Sequence, residues 1–165
     1  MPEPYPLQSL LNVREFREES AKRGVTTAKN LLKEATAAYE VKQHEVEEFK
    51  KWRAEEEERR WNALFKTAVK IDGIERFKAG LAALANQELQ KDQELESARQ
   101  TVSQKQAELD KAKDAASIAR KNTAKIEAHK DIWSEEAKKE AERVEVLELE
   151  EFHSVSPLSL ASDES

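Results

Sequence analysis

Cysteine is absent from the 165 residues, so neither a disulfide nor a thiolate metal site can form. Aromatic residues make up 6% and glycine occurs three times, while 38% of the chain is charged, a balance that cannot fill the three-dimensional core of a globular enzyme. No apolar run approaches the roughly eighteen residues of a membrane span. No cleavable signal pattern opens the chain. A cytoplasmic location with no membrane insertion is therefore expected.

Charge is abundant and unevenly placed. The net charge is −6, and residues 140–165 hold eight acidic residues against one basic, which leaves the remainder near neutrality. A balanced body with an acidic end disfavours nucleic acid and anionic membranes as partners.

The dominant pattern is a heptad repeat. In the second half, Phe77, Leu84, Lys91, Ala98, Lys105, Ala112, Ala119, Ile126, Trp133, Glu140 and Leu147 occupy d. Leu81, Glu88, Leu95, Val102, Leu109, Ala116, Thr123, Lys130, Ala137 and Val144 occupy a. Fifteen of these twenty-one are apolar and the phase never slips. Val25, Ala28, Leu32, Ala35, Tyr39, Lys42, Val46, Phe49, Arg53, Glu56 and Arg60 form the matching series in the first half.

The fold class that follows is all-α, a long antiparallel two-helix coiled-coil hairpin. Its predicted parts are an extended N-terminus over 1–6, helix one over about 7–70, a turn at 71–73 on Asp72 and Gly73, helix two over about 74–149, and a disordered tail over 152–165. A reversal at Asp72 predicts that Leu32 faces Ala112, Ala35 faces Leu109, Val46 faces Ala98 and Phe49 faces Leu95, large against small in three of the four. It also brings Arg53 diagonally to Glu88 and Glu56 to Lys91, a polar layer that fixes register at a cost in stability. At the other end Leu7, Leu10, Leu11, Val13 and Phe16 begin an amphipathic stretch facing Ala137, Trp133 and Lys130. Gly24, followed by Val25, Thr26 and Thr27, is a weak point in a helix expected to stay continuous.

Chemistry finds little support. Glu55 to Glu58 are consecutive, so on a helix they point all round the axis and form a solvated face rather than a convergent acid–base pair. His44, His129 and His153 are scattered, which disfavours metal ligation. There is no Gly-rich phosphate loop and no nucleophile beside a base. No catalytic, cofactor or metal residue is assigned.

Trp61 and Phe65 fall outside the heptad, four apart on one face, with Trp52 flanking the seam. Two explanations fit. A one-residue phase shift would move Trp61, Leu64, Ala68 and Ile71 into the seam and leave only Phe65 outside. Otherwise the rings form an exposed patch of the kind that marks a partner site.

Tyr5-Pro6-Leu7 with Leu10, Leu11 and Arg14-Glu15-Phe16-Arg17, then Phe49-Lys50-Lys51-Trp52-Arg53-Ala54-Glu55-Glu56-Glu57 and the Phe77 to Leu84 segment, resemble the YscO/FliJ stalk family of type III secretion, through about Phe152. The resemblance implies a cytoplasmic component similar to the central shaft of rotary ATPases. Its paired chain ends would enter a hexameric secretion ATPase and promote assembly and activity, and the region near the turn would reach an export-gate protein. Export chaperones are implied as further partners. Carried onto this chain, the ATPase-facing residues would be Leu11, Arg14, Arg17, Lys130, Lys138 and Lys139. The gate- or chaperone-facing residues would be Phe49, Trp52, Phe77, Leu81 and Glu88, to which the off-heptad pair Trp61 and Phe65 is added as a candidate partner patch from its position alone. Phe49 and Trp52 stand where flagellar relatives tend to have tyrosine, and Glu88 is unusually acidic, which favours an injectisome member. An escort protein that binds export chaperones without acting on the ATPase uses the same exposed surfaces, and the sequence alone does not separate the two. A plain parallel dimer would need neither the turn nor the matched series.

Overall fold

Two helices make up the fold in the computed structural model, which describes residues 3–67 and 70–159, with side chains as far as Ser154. Helix α1 spans Gln8–Lys66 and α2 spans Ile71–Ser159, and no strand occurs among the described residues. The helices pair antiparallel as a hairpin, with Arg14 bonded to Asn122 and Lys42 to Glu94. Prolines at 2, 4, 6 and 157 leave the interior of α1 and nearly all of α2 free of the residue that most disfavours helix. Helix α1 is continuous through Gly24. Contacts group the chain into two compact units, Met1–Ala21 with Ala115–Ser165, and Lys22–Asp114.

In the Lys22–Asp114 unit the predicted seam is the observed one. Ala28, Val46, Leu84 and Leu109 are buried, and Val25, Leu32, Ala35, Tyr39, Phe49, Leu95 and Val102 are half-buried between exposed neighbours. The charged heptad residues Lys42, Arg53, Glu56, Arg60, Glu88, Lys91 and Lys105 are half-buried too, with Arg53 paired to Glu88 and Glu56 to Arg60.

The reversal is not at Asp72 and Gly73. Helix α1 ends at Lys66, Thr67 lies in a bend, and α2 has already begun at Ile71, so Asp72 and Gly73 sit in its first turn. The amides of Gly73 and Ile74 donate to the Lys70 carbonyl at 2.9 and 3.4 Å. Gly73 does not use a positive φ, the freedom that would have made it a turn residue. Asp72 instead brings negative charge to the free N–H groups of a helix start, and Lys66 brings positive charge to the carbonyl end of α1.

This displacement has a simple effect. Moving the reversal of an antiparallel pair by about half a heptad moves each facing partner by about one heptad, so the a and d residues stay on the seam and change opposite numbers. Lys42 meets Glu94, Lys50 meets Asp92 and Lys91 lies over Phe49, all nearer the start of α2 than a reversal at Asp72 requires. The predicted Arg53 to Glu88 diagonal is present. Glu56 does not meet Lys91; it is held by Arg59 and Arg60 of its own helix.

In the chain-end unit Tyr5, Leu11 and Ile126 form the core, with Trp133 packed against it. A heptad offset appears here as well. Gln8 rather than Arg14 meets Lys130, and Tyr5 rather than Leu11 meets Trp133. Of the predicted amphipathic set only Leu11 is buried; Leu7, Leu10, Val13 and Phe16 are exposed.

Helix also replaces the predicted tail over 152–159, since α2 runs to Ser159 and the Ser154 hydroxyl donates to the Glu151 carbonyl at 2.8 Å. Once α2 is nucleated, adding residues without glycine costs little, and Pro157, which removes one backbone donor, falls only in the last turn. The rest of the predicted tail, 160–165, lies outside the described residues.

Candidate functional site

Near the reversal an aromatic cluster forms from three residues. Trp61 and Phe65, one turn apart on α1, meet edge to face with centroids 5.0 Å apart, and Trp61 also lies 5.4 Å from the Phe77 ring of α2. Trp61 is 50% exposed and Phe65 72%. The phase shift reaches Leu64, which is half-buried, but neither Trp61 nor Ile71, and Ala68 lies outside the described residues. Beside the rings a hollow of about 660 Å³ is lined by Leu64, Lys70, Arg76 and Phe77 among others. Apolar faces with basic neighbours suit a partner segment that brings apolar and acidic groups together.

The other predicted gate-facing residues divide. Trp52 is exposed and stacks at 5.6 Å on half-buried Phe49, itself covered by the Lys91 ammonium. Leu81 is half-buried in the seam, and the Glu88 carboxylate is taken by Arg53. Two hydrogen-bonded arginines, Arg59 foremost and then Arg60, hold the Glu56 carboxyl below its ordinary range, and Glu94 with Glu45 holds the Lys42 ammonium above its own.

The chain-end unit is organised by Tyr5, which the sequence marks as part of the Tyr5-Pro6-Leu7 motif and of an extended lead-in but not as a packing residue. Gln8 N–H donates to the Tyr5 carbonyl at 3.1 Å, closing a turn over Pro6 and Leu7 that folds Tyr5 onto α2. Its ring contacts those of His129 and Trp133, its hydroxyl shares a hydrogen bond with Nδ1 of His129, and it is 7% exposed. The signal available was a large aromatic three residues before the helix start, at the same end of the hairpin as Trp133 of the d series.

Three predicted ATPase-facing residues are occupied within this unit. Leu11 is buried, Arg14 donates to the Asn122 carbonyl at 2.9 Å, and Lys130 donates to the Gln8 side chain at 2.8 Å. Buried Thr123, an a-position residue of the heptad, donates to the carbonyls of Ala119 and Arg14. Arg17, Lys138 and Lys139 are exposed and remain available. From Lys138 to Ser154 every residue of α2 is exposed, including Val144, Leu147 and Phe152.

Among the described residues no group of His, Asp or Glu is placed to hold a metal, and no helix is long and apolar enough to cross a membrane. The pairing of α1 and α2 defines an all-α helical hairpin. The sequence pattern of the family described as Type III secretion protein YscO matches residues 7–155, and the chain belongs to that family.

Two solved structures share the fold. The chain is similar to CT670 of Chlamydia trachomatis, described as a YscO homologue, at 22% identity and TM-score 0.81 over 98% of this chain and 99% of that one. It is similar to Type III secretion protein YscO from Vibrio parahaemolyticus at 24% identity and TM-score 0.83 over 88% and 92%. No curated protein sequence matches the chain.

Proposed function

We propose that this YscO-family chain is a cytoplasmic stalk component of a type III secretion apparatus. Its chain-end unit contacts the hexameric secretion ATPase and promotes assembly and activity, and its other unit contacts an export-gate protein. One observation carries the reading: each compact unit exposes a contact surface of its own. Trp61 and Phe65 stand out on one, and Arg17, Lys138, Lys139 and the far end of α2 on the other. A protein that links two partners needs two such surfaces and no reaction centre.

The hydrolysis rate of the cognate secretion ATPase, titrated with this protein and followed together with hexamer formation, tests the reading. The expected result is a saturable rise at about one chain per six ATPase subunits. Charge reversal at Arg17, Lys138 and Lys139 should lower it. No change with an ATPase competent to hydrolyse overturns the stalk role, and capture of export chaperones in its place identifies an escort.

A further inference from the structure

We propose that the far end of α2, from Ala137 to Leu147, is a docking face for a basic amphipathic helix of a partner protein. The inference rests on the reading above in expecting a partner at the chain-end unit, and adds the chemistry of the element that docks there.

The first observation is an interrupted seam. The a and d series of α2 is covered at Ile126, Lys130, Trp133 and Ala137, then runs on through exposed Glu140 to Val144 and Leu147, which are 44% and 52% exposed. Helix α1 supplies no cover because it starts at Gln8, beside Lys130, and the chain ahead of it is used at Tyr5 against Trp133. Among the described residues only Glu3 reaches the groove beyond. A groove of about 1000 Å³ follows, with Trp133, Ala137, Ala141 and Val144 as its apolar floor. It continues an existing helix–helix seam with the same residue spacing, so the occupant it fits is another helix, over about three turns.

The second observation is charge. Glu3, Glu136, Glu140, Glu145 and Glu148 line this groove against Lys138 alone. Only Glu140 among them is in an ion pair within the described residues, with Arg143. A second copy of this chain would set these carboxylates against their like, whereas lysine or arginine flanking an apolar stripe would neutralise them. Three turns bury too little surface for tight binding by themselves, so the contact should be of moderate affinity and salt-sensitive.

The test uses the full chain without any ATPase and a labelled synthetic helix with leucine at a and d and lysine at the flanking positions. Fluorescence anisotropy should show saturable binding, weakened by salt and absent for the glutamate-flanked version. Val144→Asp with Leu147→Asp should weaken it at least about tenfold while helix content is unchanged, since both side chains are exposed. Glu145→Lys with Glu148→Lys should reverse the preference toward the glutamate-flanked helix. No binding of the lysine-flanked helix, or binding indifferent to both double substitutions, overturns the proposal, as does sedimentation showing a dimer that the aspartates abolish. Failure to stimulate the ATPase while the basic helix still binds removes the stalk reading alone, and stimulation without such binding removes the docking face alone.

Discussion

The phenol of Tyr5 bonds Nδ1 of His129 across 124 positions of sequence. That bond and the Trp133 contact fasten the chain ahead of α1 to α2 and cover Leu11 and Ile126. Tyr5→Phe should destabilise the chain-end unit by ~1 kcal/mol through the lost hydrogen bond. Tyr5→Ala should cost about 2–3 kcal/mol, with a cavity beside Leu11 and Ile126. Urea unfolding gives both values, and amide exchange should speed up around Leu11 and Ile126.

Register can be read by chemistry at the ion pairs. Lys42 Nζ lies 3.2 Å from Glu94 and Lys50 Nζ 3.5 Å from Asp92, so a zero-length carbodiimide coupling should join 42 to 94 and 50 to 92 within one chain. Peptide mapping that finds these links only between chains refutes the intramolecular hairpin.

Acid should act partly through Glu56. Its carboxyl is held below the ordinary range by Arg59 and Arg60, so its contribution to stability is present above that range and lost as pH falls through the lowered value. Glu56→Gln should therefore lower the melting temperature near neutral pH, and the difference should disappear in acid. A difference independent of pH assigns the effect to packing.

Trp61 should matter to partners more than to folding. Half its surface is exposed, so if the proposed export-gate contact runs through this ring, Trp61→Ala should abolish capture of that protein while changing helicity little. A large fall in melting temperature instead assigns the ring to the seam with Phe77.

Gly24 lies inside α1 with an ordinary backbone conformation, and a Cβ there meets nothing within 4 Å. Gly24→Ala should stabilise the protein by about 1 kcal/mol in denaturant titration. No gain would mean that the unfolded chain is already ordered at this point.

The helices and their buried faces were legible because apolar spacing is a local property, and every assigned seam residue from Val25 to Arg60 and from Phe77 to Ala137 is at least half-buried. Partner identity was less legible, since the same spacing tolerates a whole-heptad displacement. Asp72-Gly73 drew the reversal to itself because glycine signals turns and helix starts alike. The packing of Tyr5 was not legible because it lies ahead of the helix, in a segment expected to be extended, and the predicted register set Leu11 rather than Tyr5 against Trp133. Leu11, Arg14 and Lys130 belonged to the predicted ATPase surface by resemblance, yet their side chains are engaged in holding the two helices together. Trp61 and Phe65 were visible as aromatics off the heptad, and both are exposed, although Trp61 also touches Phe77 of the seam.

The cross-helix charges settle an ambiguity that the apolar residues leave open. Displacing α2 by one heptad keeps hydrophobic faces together in either direction, but Lys42 would exchange Glu94 for Gln87 or Thr101, and Lys50 would exchange Asp92 for Ala85 or Arg99. Arg53 would exchange Glu88 for Leu81 or Leu95. All three attractions vanish at once and one becomes a repulsion. Pairs that add little strength singly can thus act jointly as an address, telling a repetitive sequence which of its own residues to stand beside.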